Sequence, residues 1–171
     1  FFYRKNELSS DIAAKVDMPK LHDQSIIRLD VDEIVKILDT AEDGLNMSEK
    51  QRQFNKITSK RDVAILTLFL GTGIRISELV GIDIKDVDFA SNAFTITRKG
   101  GNRQTLYFSE EVSNSLQNYL SWRENEIDLS SDVGIKMKDS PALFLSLQGK
   151  RISVRSVELL VKKYSRIINP L

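Results

Sequence analysis

Apolar residues recur at helical spacing at Ile34, Val35, Leu38 and Ala41. The segment Leu29-Asp30-Val31-Asp32-Glu33 precedes them with a hydrophobic staple residue, a capping aspartate and a glutamate three positions later. This predicts an amphipathic helix. Residues 44–58 are polar and predict a loop or frayed helix. Ser59 is then placed to cap a second helix, in which Val63, Ala64, Ile65, Leu66, Leu68, Phe69 and Leu70 are apolar on nearly every side, so that helix is expected to be central. Gly71 and Gly73 predict a sharp turn, and Ser77, Glu78 and Leu79 a new short helix.

Beyond residue 86 the period changes from helical to two. Phe94 and Ile96 alternate with Thr95 and Thr97, and Leu106 and Phe108 with Thr105 and Tyr107, which predicts a hairpin. Its loop is expected over Arg98 to Gln104, around Gly100 and Gly101. Val87 to Phe89 supplies a third, short strand before a turn at Ala90-Ser91-Asn92. Ser109 with Glu110 and Glu111 opens another helix carrying Val112, Leu116, Tyr119 and Leu120 on one face. A polar connection over Ile127 to Ser140 and an apolar run at Leu143 to Leu145 lead to a last helix. Ser153 caps it, and its expected inner face is Val157, Leu160, Val161, Tyr164 and Ile168. The fold class is therefore α+β, mostly α, with a small three-stranded antiparallel sheet. At the other end, Phe1 to Val16 reads as a helix end, followed by a linker broken at Pro19.

A chain of 171 residues with 41% hydrophobic composition can bury a full core. No apolar run is long enough to span a bilayer, and no signal peptide opens the chain, so no membrane partner is expected. The absence of cysteine excludes disulfides and thiolate metal sites and fits a cytoplasmic location. A net charge of +1 does not announce nucleic acid, but the charge is polarised. Acids dominate Asp23 to Glu49, whereas Lys150, Arg151, Arg155, Lys162, Lys163 and Arg166 face Glu158 alone. The chain starts at Phe1 and stops at Leu171 just after a helix, and both ends read as cut.

Arg75 follows the apolar run directly and sits before the short helix. A guanidinium there, with free N–H groups of a helix start, suits a phosphate. The alternative is a structural ion pair with Glu78. Lys99, at the hairpin tip between Arg98 and the glycine pair, is an extended ammonium that could reach a groove and donate a proton, or an ordinary exposed lysine.

The two come in a fixed order: apolar helix, Thr72-Gly73-Ile74-Arg75-Ile76-Ser77-Glu78-Leu79, then a sheet whose last turn is Ile96-Thr97-Arg98-Lys99-Gly100-Gly101-Asn102-Arg103. In this order Leu29 to Asn169 resembles the catalytic domain of the tyrosine recombinases, the family of phage and transposon integrases and Xer-type resolvases. Residues 1–20 resemble the end of that family's DNA-clamping N-terminal domain and its linker, and 21–171 part of the catalytic domain, which has the fold of DNA breaking-rejoining enzymes. The resemblance implies site-specific recombination and integration of double-stranded DNA through a 3′-phosphotyrosyl intermediate, with no cofactor and no metal, by protomers that assemble as a tetramer on DNA. It gives Arg75 the role of phosphate clamp, Lys99 that of the acid for the leaving 5′-oxygen, and Glu78 that of orienting the arginine. Arg98 and Arg103 around the lysine, and Lys150, Arg151 and Arg155 at the last helix start, are the expected DNA contacts, with Lys60 and Arg61 as weaker candidates.

The family continues with a His-x-x-Arg box and a nucleophilic tyrosine, and neither occurs here. His22 matches no family position, Tyr164 sits at packing spacing, and Tyr3, Tyr107 and Tyr119 have no better claim. The C-terminal part of the domain is thus missing, and the chain as given is expected to bind DNA or phosphate without cleaving. The competing class is a non-catalytic DNA-binding or assembly module with the same fold. A nucleotide-binding reading of Gly71-x-Gly73 or Lys99-Gly100-Gly101 fails for want of a strand-to-helix turn with a lysine at the needed spacing.

Overall fold

The computed structural model describes residues 28–98, 100–125 and 140–168. The expectations for Phe1 to Lys20, for His22 and for Lys99 lie outside them. The first helix, α1 (Val31–Asp43), starts as the sequence predicts: Glu33 Oε2 accepts the Asp30 N–H at 2.9 Å, and Gly44 ends the helix at a φ of +69°.

The second helix corrects the sequence reading. α2 runs Glu49–Thr72 without a break, and its cap is Ser48, while the expected cap Ser59 lies in mid-helix eleven residues further on. Ser48 Oγ accepts from Gln51 N–H at 3.4 Å, and Gln51 Oε1 accepts the Ser48 N–H at 2.9 Å. Hydrophobic periodicity missed this half because its inward positions are polar: Asn55, Thr58 and Asp62 are all buried. Each has a partner, Asn55 Nδ2 donating to Ala41 O at 3.0 Å and Thr58 Oγ1 to Phe54 O at 3.2 Å.

Gly71 does not turn the chain. It is helical, and a Cβ there would lie 2.7 Å from Cγ2 of Val112 on α4 (Glu110–Asn125), so its role is the close approach of two helices. The turn belongs to Gly73, at a φ of +62°, whose N–H donates to Phe69 O at 2.9 Å. The chain then enters α3 (Ile76–Gly81).

A single 3-10 turn, Ile84–Asp86, leads to a sheet of order β1-β2-β3, all antiparallel: β1 Val87–Asp88, β2 Ala93–Thr97 and β3 Arg103–Tyr107. Pairing extends to Thr97 opposite Arg103, so Arg103 and Gln104 belong to the strand and not to the expected loop. Ala93, Phe94 and Ile96 are buried, and Phe94 stacks on Phe108 with centroids 5.9 Å apart. The fold is mostly helical with one three-stranded sheet.

α4 packs Val112, Leu116 and Tyr119 against α2, and α5 (Val154–Ile168) packs Val157, Leu160 and Tyr164 against the same core. Val161, expected inside, is exposed and lines a cleft. Between α4 and α5, residues 142–152 fold back on themselves. Ala142 bridges Asp83, and Leu145 bridges Arg151. The buried Arg123 holds this segment by donating to the carbonyls of Ser140, Ala142 and Leu143 at 2.7, 2.7 and 3.2 Å.

Candidate phosphate and nucleic-acid site

Arg75 is the N-cap of α3. Its backbone N–H donates to Glu78 Oε2 at 3.1 Å, and its Nη1 donates to Glu78 Oε1 at 3.1 Å. The two sequence readings of Arg75 are thus compatible, because one nitrogen makes the ion pair while the side chain stays 70% exposed with most of its fork open. Glu78, by contrast, has a side chain only 8% exposed. Burial opposes its ionisation, but the Arg75 hydrogen bonds and the charges of Arg75 and Arg98 outweigh it and hold the carboxyl below the usual glutamate range. A fixed anion therefore orients an exposed cation, beside the open N–H groups of a helix start.

Arg98 reaches the same carboxylate from the end of β2, with Nε 3.4 Å from Glu78 Oε1. The structure so brings Arg75, Glu78 and Arg98 together. Arg103 is directed elsewhere, with Nη2 3.8 Å from Asp86 Oδ1 and a side chain 70% exposed.

The three basic residues near α5 have three different situations. Lys150 is exposed at the tight turn in which Gly149 N–H donates to Ser146 O at 3.0 Å. Arg155 is exposed and pairs with Glu158 at 3.2 Å. Arg151 donates to Val80 O at 2.9 Å and Ile82 O at 3.1 Å and pairs with Asp83, so its fork is occupied by the C-terminal end of α3. It fastens the 142–152 segment to the helix that Arg75 begins. Lys60 pairs with Glu42, and Arg61 binds Asp62 and Leu145 O.

Arg75 and Ser77 stand at one end of an open cleft of about 870 Å3 between α1, α2, α3 and α5. Ile37, Leu66, Phe69, Ile74 and Val161 supply its apolar wall, and Arg28, Glu33 and Glu158 add charged groups beside Arg75.

Behind that cleft lies a polar cluster that no motif or spacing in the chain singles out. The Tyr164 hydroxyl is 2.9 Å from Asp62 Oδ2 and 3.0 Å from Asn55 Oδ1, and it accepts from Lys163 Nζ at 3.0 Å. Burial first, then the Asp62 charge, push the phenol well above its ordinary pKa. A neutral phenol fixed inside the core is a poor nucleophile, which agrees with the packing role expected for Tyr164. Tyr119 is buried likewise, its oxygen accepting the Leu145 N–H at 3.2 Å, whereas Tyr107 is exposed on β3. Among the described residues there is no group of three or more His, Cys, Asp or Glu that could hold a metal ion, and no helix long and apolar enough to cross a membrane.

Comparison with known proteins agrees with this architecture. The model of the phage integrase family matches residues 27–169. The tyrosine recombinase XerC of Caldanaerobacter subterraneus subsp. tengcongensis is 33% identical over 170 residues, which is 99% of this chain and 41% of the relative. Among solved structures, XerA recombinase superposes with a TM-score of 0.64 at 19% identity over 99% of this chain and 51% of that one. The Tn1549 transposon integrase, in complex with a circular intermediate DNA, superposes at 0.55 with 19% identity over 95% of this chain and 52% of that one. The chain thus spans less than half the length of the curated relative.

Proposed function

Because this chain belongs to the phage integrase family, we propose that it provides half of the phosphate site of a site-specific DNA recombinase, with Arg75 as the clamp on the scissile phosphate. The observation that carries the reading is the pairing of an exposed guanidinium, at a helix N-terminus, with a carboxylate of low exposure that fixes its direction. A guanidinium held before the phosphate arrives needs no reorganisation as negative charge grows on the non-bridging oxygens. Lys99 protonates the leaving 5′-oxygen once a tyrosine has attacked the phosphorus to form a 3′-phosphotyrosyl link.

That tyrosine is not Tyr164 or Tyr119, whose hydroxyls are engaged in the core. On this reading residues 1–171 by themselves bind DNA and do not cleave it. Arg103, Lys150 and Arg155 supply exposed cations for the DNA backbone, and Arg151 shapes the surface that carries them. Recombination itself, and assembly with further protomers on DNA, are functions of the longer protein.

The test is binding of a short duplex as a function of salt. Arg75→Ala is expected to weaken binding and to lower the slope of log K against log salt by about one, the value for one lost phosphate contact. An unchanged slope and affinity would remove Arg75 from the site. In the longer protein the same substitution should abolish covalent DNA attachment. Lys99→Ala should slow cleavage of an ordinary strand yet recover on a 5′-phosphorothiolate, whose sulfur leaves without a proton. Failure to recover would refute the acid role.

A further inference from the structure

One oxygen of Glu78 serves two arginines from two different elements. Oε1 takes Arg75 Nη1 at 3.1 Å from within α3 and Arg98 Nε at 3.4 Å from the end of β2. The carboxylate is nearly buried, whereas the Arg98 side chain is 42% exposed, so the arginine rests its inner edge on an anion that cannot swing away into water.

The Arg98 backbone is fixed as well. It is the first residue beyond the Thr97–Arg103 pair, its N–H donates to Asn102 O at 2.8 Å, and its carbonyl accepts from Gly101 N–H at 3.0 Å. Gly100 and Gly101 follow at φ of +92° and +80°, with nothing within 4 Å of where a Cβ would stand. Among the described residues of this loop, Arg98 alone ties a side chain to the body of the protein by a hydrogen bond or ion pair.

We propose that Arg98 is a positioning residue and not a phosphate contact: through the shared oxygen of Glu78 it locks the β2–β3 loop to the N-terminal end of α3. Its value to function rests on the reading of Arg75 as a clamp. The loop that carries Lys99 in the sequence and the helix that begins at Arg75 are then registered to each other by a single carboxylate.

The experiment combines amide hydrogen exchange with duplex binding on the 171-residue chain. Arg98→Ala and Glu78→Gln should each speed exchange of the Gly101 N–H about threefold, and the double variant should be no faster than either, because both remove one link. The salt slope of duplex binding should stay at the wild-type value in Arg98→Ala. A slope lower by about one would make Arg98 a direct phosphate contact. Unchanged exchange, or additive effects in the double variant, would overturn the link. Arg75→Ala in parallel separates the two claims: a wild-type slope there refutes the clamp, while the exchange data still decide the role of Arg98.

Discussion

Tyr164→Phe isolates one hydroxyl in the middle of the molecule. The ring keeps its place against Val157 and Leu160, and Lys163 Nζ keeps its position 4.4 Å from the ring centroid, so packing and the cation–π contact survive. What is lost is the donor to Asp62 Oδ2 at 2.9 Å, shared with Asn55 Oδ1 at 3.0 Å, together with the acceptor for Lys163 Nζ at 3.0 Å, which keeps Asp62 as its ion-pair partner. Asn55 cannot turn to compensate, because its Nδ2 is committed to Ala41 O, and Asp62 keeps Arg61 on its other oxygen. One hydrogen bond to a buried charged acceptor is therefore lost, and a loss of about 2 kcal/mol is expected. That is a large share of the roughly 5–15 kcal/mol of a typical domain.

Urea unfolding reads it as a lower midpoint at constant m. A second readout is the alkaline limb. The phenol has a raised pKa in the fold, so its contribution is fully present below the ordinary value of about 10 and is lost as pH rises toward the folded one. The alkaline loss of stability should be shallower in the variant than in the wild type. A change below about 0.5 kcal/mol, with identical alkaline limbs, would refute the claim that this hydroxyl bonds the buried pair.

Three further outcomes are expected. Gly71→Ala should cost about 1–2 kcal/mol, since overpacking against Val112 exceeds the gain in helix propensity, and Val112→Ala in the same chain should relieve the clash, giving a favourable coupling in a double-mutant cycle; additive costs would deny the contact. Glu78 has a lowered pKa in the fold, so its contribution is present above its unfolded value and disappears as pH falls through the folded one; Glu78→Gln should flatten the acid limb of stability, and an unchanged limb would contradict the pairing. Arg151→Ala should lower the thermal midpoint while leaving the salt slope of duplex binding intact, whereas a slope lower by about one would return Arg151 to the DNA contacts proposed from sequence.

The α1 start, the strand alternation, the capped α4 and α5 and the short helix after Arg75 were all legible in the chain, because each rests on local rules of capping and periodicity. The first half of α2 was not. Its buried positions are Asn55, Thr58 and Asp62, which a hydrophobic pattern counts as solvated, and only the Ser48 and Gln51 capping pair marked it. Gly71 failed for a related reason: a glycine's freedom to turn is a local property, whereas its value for helix contact depends on Val112, forty-one positions away in the chain.

The linear chain carries the order of arginine box and lysine hairpin, and with it the family and the kind of chemistry to expect. Which cations remain open to a phosphate depends on how the elements pack. Arg75, Arg98 and Arg151 are chemically the same group, and composition cannot rank them. Glu78 is carried nearly out of water between α3 and the sheet, where it directs one arginine outward and holds the second, while the carbonyls of Val80 and Ile82 occupy the third. Those partners come together only when α3, β2 and the 142–152 segment pack, and desolvation gives the arrangement its force, since a carboxylate withdrawn from solvent fixes its cations far more firmly than an exposed one.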